Sequence, residues 1–161
     1  MIGEQEVLQT VTKIVVSEEA MVALGMRLGR YSDCIGTVFL QGELGVGKTT
    51  FVRSWLHGQG YVGAVKSPTY SLMVFYPLAA GVCYHLDLYR LGSGDESESL
   101  GLRDLSGKSV LMLIEWPEQA AGWLPQPDLC VQMDYIAAGE REITLQSYTQ
   151  AGNNLLHGLF I

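Results

Sequence analysis

A nine-residue segment, Gly42-Glu-Leu-Gly-Val-Gly-Lys-Thr-Thr50, combines glycines, a lysine and two threonines at the spacing G-x-x-x-x-G-K-T. Glycines let the backbone turn so tightly that consecutive N–H groups converge, and a following helix N-terminus adds its dipole, so the segment suits a phosphate. Lys48 can then reach the β- and γ-oxygens of a nucleotide, Thr49 can ligate Mg²⁺ and Thr50 can contact the α-phosphate. The predicted nucleotide-binding residues are Gly42, Glu43, Leu44, Gly45, Val46, Gly47, Lys48, Thr49 and Thr50.

Two carboxylates follow apolar runs at positions where strands of a central sheet would end. Glu115 follows the apolar residues 110–114, and Asp87 follows the run 82–86. In a phosphate-binding α/β protein, acids at the C-terminal edge of the sheet can hold Mg²⁺ or orient an attacking water. One division gives Glu115 the metal and Asp87, with Lys48, the catalytic role, but the roles of the two acids could be exchanged.

Three further features lie near these acids in the sequence. Arg90 and His85 flank Asp87, and either can touch phosphate, although single residues of these types beside a strand more often serve as structural pairing partners. The segment Ser67-Pro-Thr69 precedes a β-rich run, and its hydroxyl groups can close a local turn. Composition alone does not decide between a turn and a functional loop there.

The elements that must position these residues follow from hydrophobic periodicity and from helix and turn signals. An α-helix is predicted to begin after the N-cap Ser17, and a second to leave the phosphate loop. Three single strands are predicted over 10–16, 34–41 and 110–114. Two further runs, 65–76 and 82–89, are predicted to form a hairpin around the turn 77–81. A last pair of strands, 129–134 and 140–146, is predicted around a turn at 137–139. The predicted helices cover a stretch after residue 17, residues 49–58 and an acidic segment over 95–102, with a turn at 106–108 and a weakly specified tail from Gly152.

The composition of the 161-residue chain, 48% hydrophobic, predicts one domain with a single hydrophobic core. The formal net charge is −7, and no run of Lys or Arg occurs, which argues against direct binding to DNA or RNA. The three cysteines lack metal-site spacing and are expected in the core. With no apparent leader and no membrane-spanning stretch, a cytoplasmic protein is expected.

Four blocks in order resemble the bacterial TsaE (YjeE) family, the small ATPases of tRNA threonylcarbamoyladenosine biosynthesis. They are Gly42-Glu-Leu-Gly-Val-Gly-Lys-Thr-Thr50, Ser67-Pro-Thr-Tyr70, His85-Leu-Asp-Leu-Tyr-Arg90 and Leu113-Ile-Glu-Trp-Pro-Glu118. The phosphate loop alone is shared by many proteins, whereas H-x-D-x-Y-R followed by I-E-W is specific to this family. The resemblance covers nearly the whole chain and becomes weaker in the C-terminal tail.

The resemblance implies a single α/β, P-loop NTPase-like domain with a central mixed, mainly parallel sheet flanked by helices. It also implies that the domain binds ATP and Mg²⁺ and works with the proteins TsaB and TsaD, which would carry the tRNA. It implies that Thr49 and Glu115 ligate the metal and that Asp87 is needed for hydrolysis. It further implies a switch-like loop at Ser67, Pro68 and Thr69, and nucleotide contacts at Trp116 and Glu18. For the segment at Ser17 and Glu18, a simple helix cap is an equally sufficient explanation.

Other functional classes fit the sequence less well. A GTPase would need an N-K-x-D motif, which is absent, and Asp104-Leu-Ser-Gly107 follows a polar segment, so it is interpreted as a helix-ending turn. A small-molecule kinase could use the same loop, but the six arginines form no cluster to clamp a second phosphorylated substrate. A nucleotide-switched assembly factor is the non-enzymatic alternative, and it differs little from the TsaE interpretation.

Overall fold

Seven strands and three α-helices form the regular structure of the residues described by the computed structural model, which are 5–68, 70–92, 101–105 and 110–161. In chain order they are β1 (Gln9–Val15), α1 (Glu18–Arg30), β2 (Thr37–Gly42), α2 (Lys48–Gly58), β3 (Met73–Leu78), β4 (Gly81–Asp87), β5 (Val110–Glu115), β6 (Leu129–Ala137), β7 (Glu140–Ser147) and α3 (Gln150–Phe160). Two 3₁₀ helices cover Leu102–Leu105 and Pro117–Ala120. The predictions for Thr69, for 95–100 and for the turn at 106–108 fall outside the described residues.

The strands form one mixed sheet in the order β1-β7-β6-β2-β5-β4-β3. The three central pairings, β6 with β2, β2 with β5 and β5 with β4, are parallel, and the three outer pairings are antiparallel. Five strands therefore run in one direction, and β7 and β3 run against them. Because β4 and β5 are parallel neighbours, Asp87 and Glu115 are register partners at their C-terminal ends.

The two faces of the sheet are covered differently. Alternating side chains of β2 illustrate this, since Val38 and Leu40 belong to the core under the α-helices and Phe39 belongs to the core on the other face. All three described α-helices contribute to the first core, whereas connecting residues such as Leu88 and Leu102 cover the second. Among the described residues, the predicted flanking α-helices therefore lie on one face only.

Helices α1 and α2 pack with their backbones in close approach. A Cβ atom at Gly29 would lie 2.1 Å from the carbonyl oxygen of Trp55, so α1 needs a residue without a side chain at that position. The predicted cap of α1 is confirmed, because the Ala20 N–H donates to the Ser17 hydroxyl over 3.1 Å. The packing fixes the axis of α2 and with it the place of the α2 N-terminus at the sheet edge.

Several details differ from the sequence expectations. The tail from Gly152, which the sequence specifies only weakly, belongs to α3, and the Thr149 hydroxyl caps this helix. Cys34 is exposed rather than in the core, because it lies in the connection that precedes β2, while Cys83 and Cys130 are buried and burial raises the pKa of both thiols. The connection between β3 and β4 is only two residues long, because Pro77 is part of β3, an edge strand that tolerates proline.

Strand β6 extends three residues beyond the predicted range and reaches Ala137, with a register shift between Tyr135 and Ala137.

Among the described residues, none of the helices combines the length and the apolar character that a bilayer crossing requires.

Candidate functional site

The predicted phosphate loop connects β2 directly to α2, and its three glycines have backbone angles that other residues rarely adopt. The φ angles are +149° at Gly42, +81° at Gly45 and +121° at Gly47. A Cβ atom at Gly42 would also lie 2.6 Å from the carbonyl oxygen of Met133 on β6. The N-cap Gly47 provides no side-chain acceptor for the first turn of α2, so the amides of that turn are suited to an anion.

Lys48 is 4% exposed and lies over the loop. Its Nζ donates to the carbonyl oxygens of Gly42 (2.5 Å) and Glu43 (3.0 Å), and it lies 4.1 Å from the centroid of the Trp116 ring. Burial lowers the pKa of Lys48 from its ordinary value, and the nearby charges of Glu115 and other acids oppose that shift. The ammonium is thus a partly desolvated cation placed where a phosphate would benefit from it.

Glu115 is a buried carboxylate, 3% exposed, at the end of β5. The Thr49 hydroxyl donates to its Oε2 over 3.1 Å, and His85 Nε2 lies 2.6 Å from the same oxygen. His85 is fully buried, and its Nδ1 has no hydrogen-bond partner within the described part of the chain. Of the two interpretations of His85, the structure therefore supports the structural pairing partner, and that partner is Glu115.

Asp87 lies beside Glu115 at the end of β4 but opens towards solvent. Its Oδ1 accepts from the Tyr89 N–H (3.1 Å), and its Oδ2 accepts from the Ser67 hydroxyl (3.2 Å). The Pro68 carbonyl accepts from the Leu72 N–H (3.0 Å), so the segment after Ser67 also closes a turn. The Ser67 hydroxyl thus contacts the candidate catalytic acid, and a backbone hydrogen bond closes the turn that follows it.

Aromatic rings lie beside both Lys48 and Arg90. Trp116 has left-handed backbone angles (φ 58°, ψ 50°), which are unusual for a bulky residue, and its ring centroid lies 4.9 Å from that of Tyr89. The Arg90 guanidinium lies 5.1 Å above the ring of Tyr70. The strained backbone at Trp116 directs the chain away from β5 directly after Glu115 and places the indole beside Lys48.

These groups surround one cavity of about 360 Å³. It is lined by residues from all four sequence blocks, namely Leu44, Gly45, Gly47, Lys48, Thr49, Thr50, Ser67, Asp87, Tyr89, Arg90, Glu115 and Trp116. The predicted residues Gly42, Glu43, Val46 and Pro68 do not line it. Glu18 lines an adjoining cavity of about 240 Å³ together with Met21, Gly47, Thr50 and Arg141.

The donor set fits a magnesium nucleotide. Mg²⁺ uses one or two protein oxygens, several waters and substrate phosphates rather than a full protein cage. The Thr49 hydroxyl and the Glu115 carboxylate supply such oxygens 3.1 Å apart, and among the described residues no group of three or more His, Cys, Asp or Glu side chains has a metal-binding arrangement. Glycine amides and the Lys48 ammonium then match the negative charge of the phosphates.

Sequence reasoning missed two side chains that contact the loop. The Tyr135 hydroxyl donates to the Gly45 carbonyl, and Arg141 Nε donates to the Val46 carbonyl. Both residues are more than eighty positions from the loop in the sequence and belong to no motif. No local signal could have identified them.

Comparison with known proteins gives a consistent result. The family profile described as "Threonylcarbamoyl adenosine biosynthesis protein TsaE" matches residues 15–143, a range that includes the loop and both strand-end acids. The tRNA threonylcarbamoyladenosine biosynthesis protein TsaE of Haemophilus influenzae is 37% identical over 154 residues, covering 92% of this chain and 97% of that protein. The protein of the same name from Bacillus subtilis is 38% identical over 138 residues, covering 86% and 84%. The crystal structure of YdiB from Bacillus subtilis superposes with a TM-score of 0.77 and 26% identity, covering 97% of both chains.

Proposed function

The chain belongs to the TsaE family, and from this membership we propose that it is the Mg²⁺-dependent ATPase of the machinery that makes threonylcarbamoyladenosine in tRNA. One observation carries the proposal: a single cavity is lined by the glycine loop, Lys48, the Thr49–Glu115 pair and Asp87. In this proposal the domain is a P-loop NTPase-like fold. A role on tRNA also fits a cytoplasmic location.

Each side chain has a role that its position permits. Lys48 would bind the β- and γ-oxygens, and Thr49 and Glu115 would hold Mg²⁺, which neutralises charge on the phosphates when bound. Asp87 borders the cavity beside Glu115 and is more open, so it would orient the attacking water. Burial makes Glu115 the better metal holder of the two acids, since a buried carboxylate gains most from a cation.

The proposal includes the partners TsaB and TsaD, with tRNA bound through them. The net charge of −7 supports this arrangement, because an acidic chain does not attract nucleic acid by itself. Fast phosphoryl transfer also needs a cation for the charge that develops in the transition state. Arg90 borders the cavity but lies against Tyr70, so we propose that hydrolysis is slow until a partner completes the site.

A thermal-shift titration tests the nucleotide assignment. Mg-ATP at one hundred times its Kd should stabilise the protein by about 2.7 kcal/mol, and Mg-GTP should not. Lys48→Ala should abolish the shift because the cation that meets the phosphates is gone. Equal shifts with GTP would contradict the ATP assignment, and a pull-down that recovers neither TsaB nor TsaD would contradict the partner assignment.

A further inference from the structure

Five carbonyl oxygens of the phosphate loop accept hydrogen bonds from other groups of the protein. Lys48 Nζ binds those of Gly42 and Glu43, and the Phe51 N–H binds that of Gly47. The remaining two of these five acceptors belong to Gly45 and Val46, and their donors come from the β6–β7 hairpin. An anion site needs this arrangement, because a carbonyl oxygen turned inward would repel phosphate.

The two hairpin donors form one unit. Tyr135 near the end of β6 and Arg141 at the start of β7 are register partners, and the Arg141 guanidinium lies 5.1 Å from the centroid of the Tyr135 ring. The Tyr135 hydroxyl is 2.6 Å from the Gly45 oxygen. The register shift that follows Tyr135 is a bulge-like irregularity of the kind that redirects side chains beside functional sites.

Fixing a carbonyl also fixes the amide on the same peptide bond. A trans peptide is planar, so its C=O and N–H point in opposite directions. When Arg141 holds the Val46 carbonyl, the Gly47 N–H points to the opposite side of that peptide. The peptide between Gly45 and Val46 is held at both ends, since its N–H donates to the Glu43 carbonyl over 3.2 Å.

We propose that Tyr135 and Arg141 are positioning residues that hold the phosphate loop in its anion-binding conformation before the nucleotide arrives. The inference rests on the proposed function of the loop and extends it to a hairpin that belongs to none of the sequence blocks. Pre-ordering matters because affinity falls in proportion to the fraction of molecules whose loop is binding-competent. The competing explanation is a direct contact of Arg141 with the nucleoside, since Arg141 also lines the cavity beside Glu18.

Calorimetric titration with two probes, Mg-ATP and Mg-tripolyphosphate, separates these explanations because the second probe has no nucleoside. The variants are Tyr135→Phe and Arg141→Met. Arg27→Met is the matched control. Arg27 also donates to a backbone carbonyl, that of Leu159 at 2.8 Å, and its guanidinium lies 5.2 Å from the centroid of the Phe160 ring, but these contacts are on a surface away from the phosphate loop. We expect Kd to rise roughly threefold for Tyr135→Phe and roughly tenfold for Arg141→Met with both probes, and to stay unchanged in the control.

A second measurement distinguishes positioning from general damage. Without nucleotide, hydrogen exchange of the Val46 amide, which donates to the Glu43 carbonyl within the loop, should be faster in Arg141→Met, while the Tm stays close to that of the Arg27→Met control. Tyr135 is 49% exposed, so Tyr135→Phe removes a hydroxyl without opening the core and remains informative if Arg141→Met folds poorly.

The outcomes separate the inference from the proposed function. Wild-type affinity for both probes in both variants would overturn the inference alone. A loss confined to Mg-ATP would show direct nucleoside contact and would also overturn it. A wild-type protein that binds neither probe would overturn the proposed function, and the inference with it.

Discussion

Replacing His85 by leucine should destabilise the protein strongly, because it leaves a buried acid without its main partner. Glu115 is 3% exposed. Once the contact with His85 Nε2 at 2.6 Å is lost, the Thr49 hydroxyl is the one donor to its Oε2 among the residues that the structure describes. Breaking a buried pair by removing one member typically costs 3–5 kcal/mol. Because the Thr49 contact remains, we expect about 3 kcal/mol, which is a Tm decrease of roughly 6–12 °C for a chain of this size.

The double variant His85→Leu/Glu115→Leu provides the control. The double variant contains no buried acid that has lost its histidine partner, so most of the stability lost in His85→Leu should return. Urea unfolding of wild type, both single variants and the double variant gives a coupling free energy, which we expect to exceed about 1.5 kcal/mol. A His85→Leu variant within about 0.5 kcal/mol of wild type, or a double variant equal to the sum of the single ones, would refute the reasoning.

Two further predictions concern catalysis and packing. Asp87→Asn should retain Mg-ATP binding but lose turnover, whereas Glu115→Gln should weaken Mg²⁺-dependent binding. Titration measures the binding and an ATPase assay the turnover. The reverse pattern would mean that Glu115 has the catalytic role and Asp87 holds the metal. Gly29→Ala should cost about 1–3 kcal/mol in urea unfolding, because its Cβ would collide with the Trp55 carbonyl. Gly158→Ala, in α3, should instead stabilise by about 0.5–1 kcal/mol, because beyond the backbone of its own helix no described atom lies within 4 Å of the added Cβ. A loss of stability there would contradict the packing argument.

The sequence predicted those parts of the site that depend on local chemistry. Only glycine readily adopts the φ angles of Gly45 and Gly47, so the loop had a distinct composition. Ser17 indicated the start of α1, because a serine hydroxyl at the N-cap accepts from an amide of the first helical turn, here that of Ala20. Asp87 and Glu115 could be expected together because both end parallel strands of one sheet, and the structure makes them register partners.

The features that sequence reasoning missed depend on contacts between distant segments. Helix α3 contains Gly152 and Gly158, which lower helix propensity, but a Cβ atom at Gly152 would lie 2.1 Å from the Asp128 carbonyl, so tertiary packing requires glycine there. Burial of Leu155 and Leu156 then stabilises the helix. Likewise, Arg141 reaches Val46 across 95 residues of sequence, and nothing near Arg141 indicates this contact.

Steady-state ATP hydrolysis by the purified chain, alone and with TsaB plus TsaD, tests the central claim most directly. We predict slow Mg²⁺-dependent turnover alone and acceleration on the order of 10³ with both partners, because a missing transition-state cation has about that effect. Asp87→Asn should be inactive in both conditions. Full activity alone, unchanged by the partners and lost in Arg90→Ala, would show that the chain supplies its own cation, and absence of hydrolysis in every condition would contradict the ATPase assignment itself.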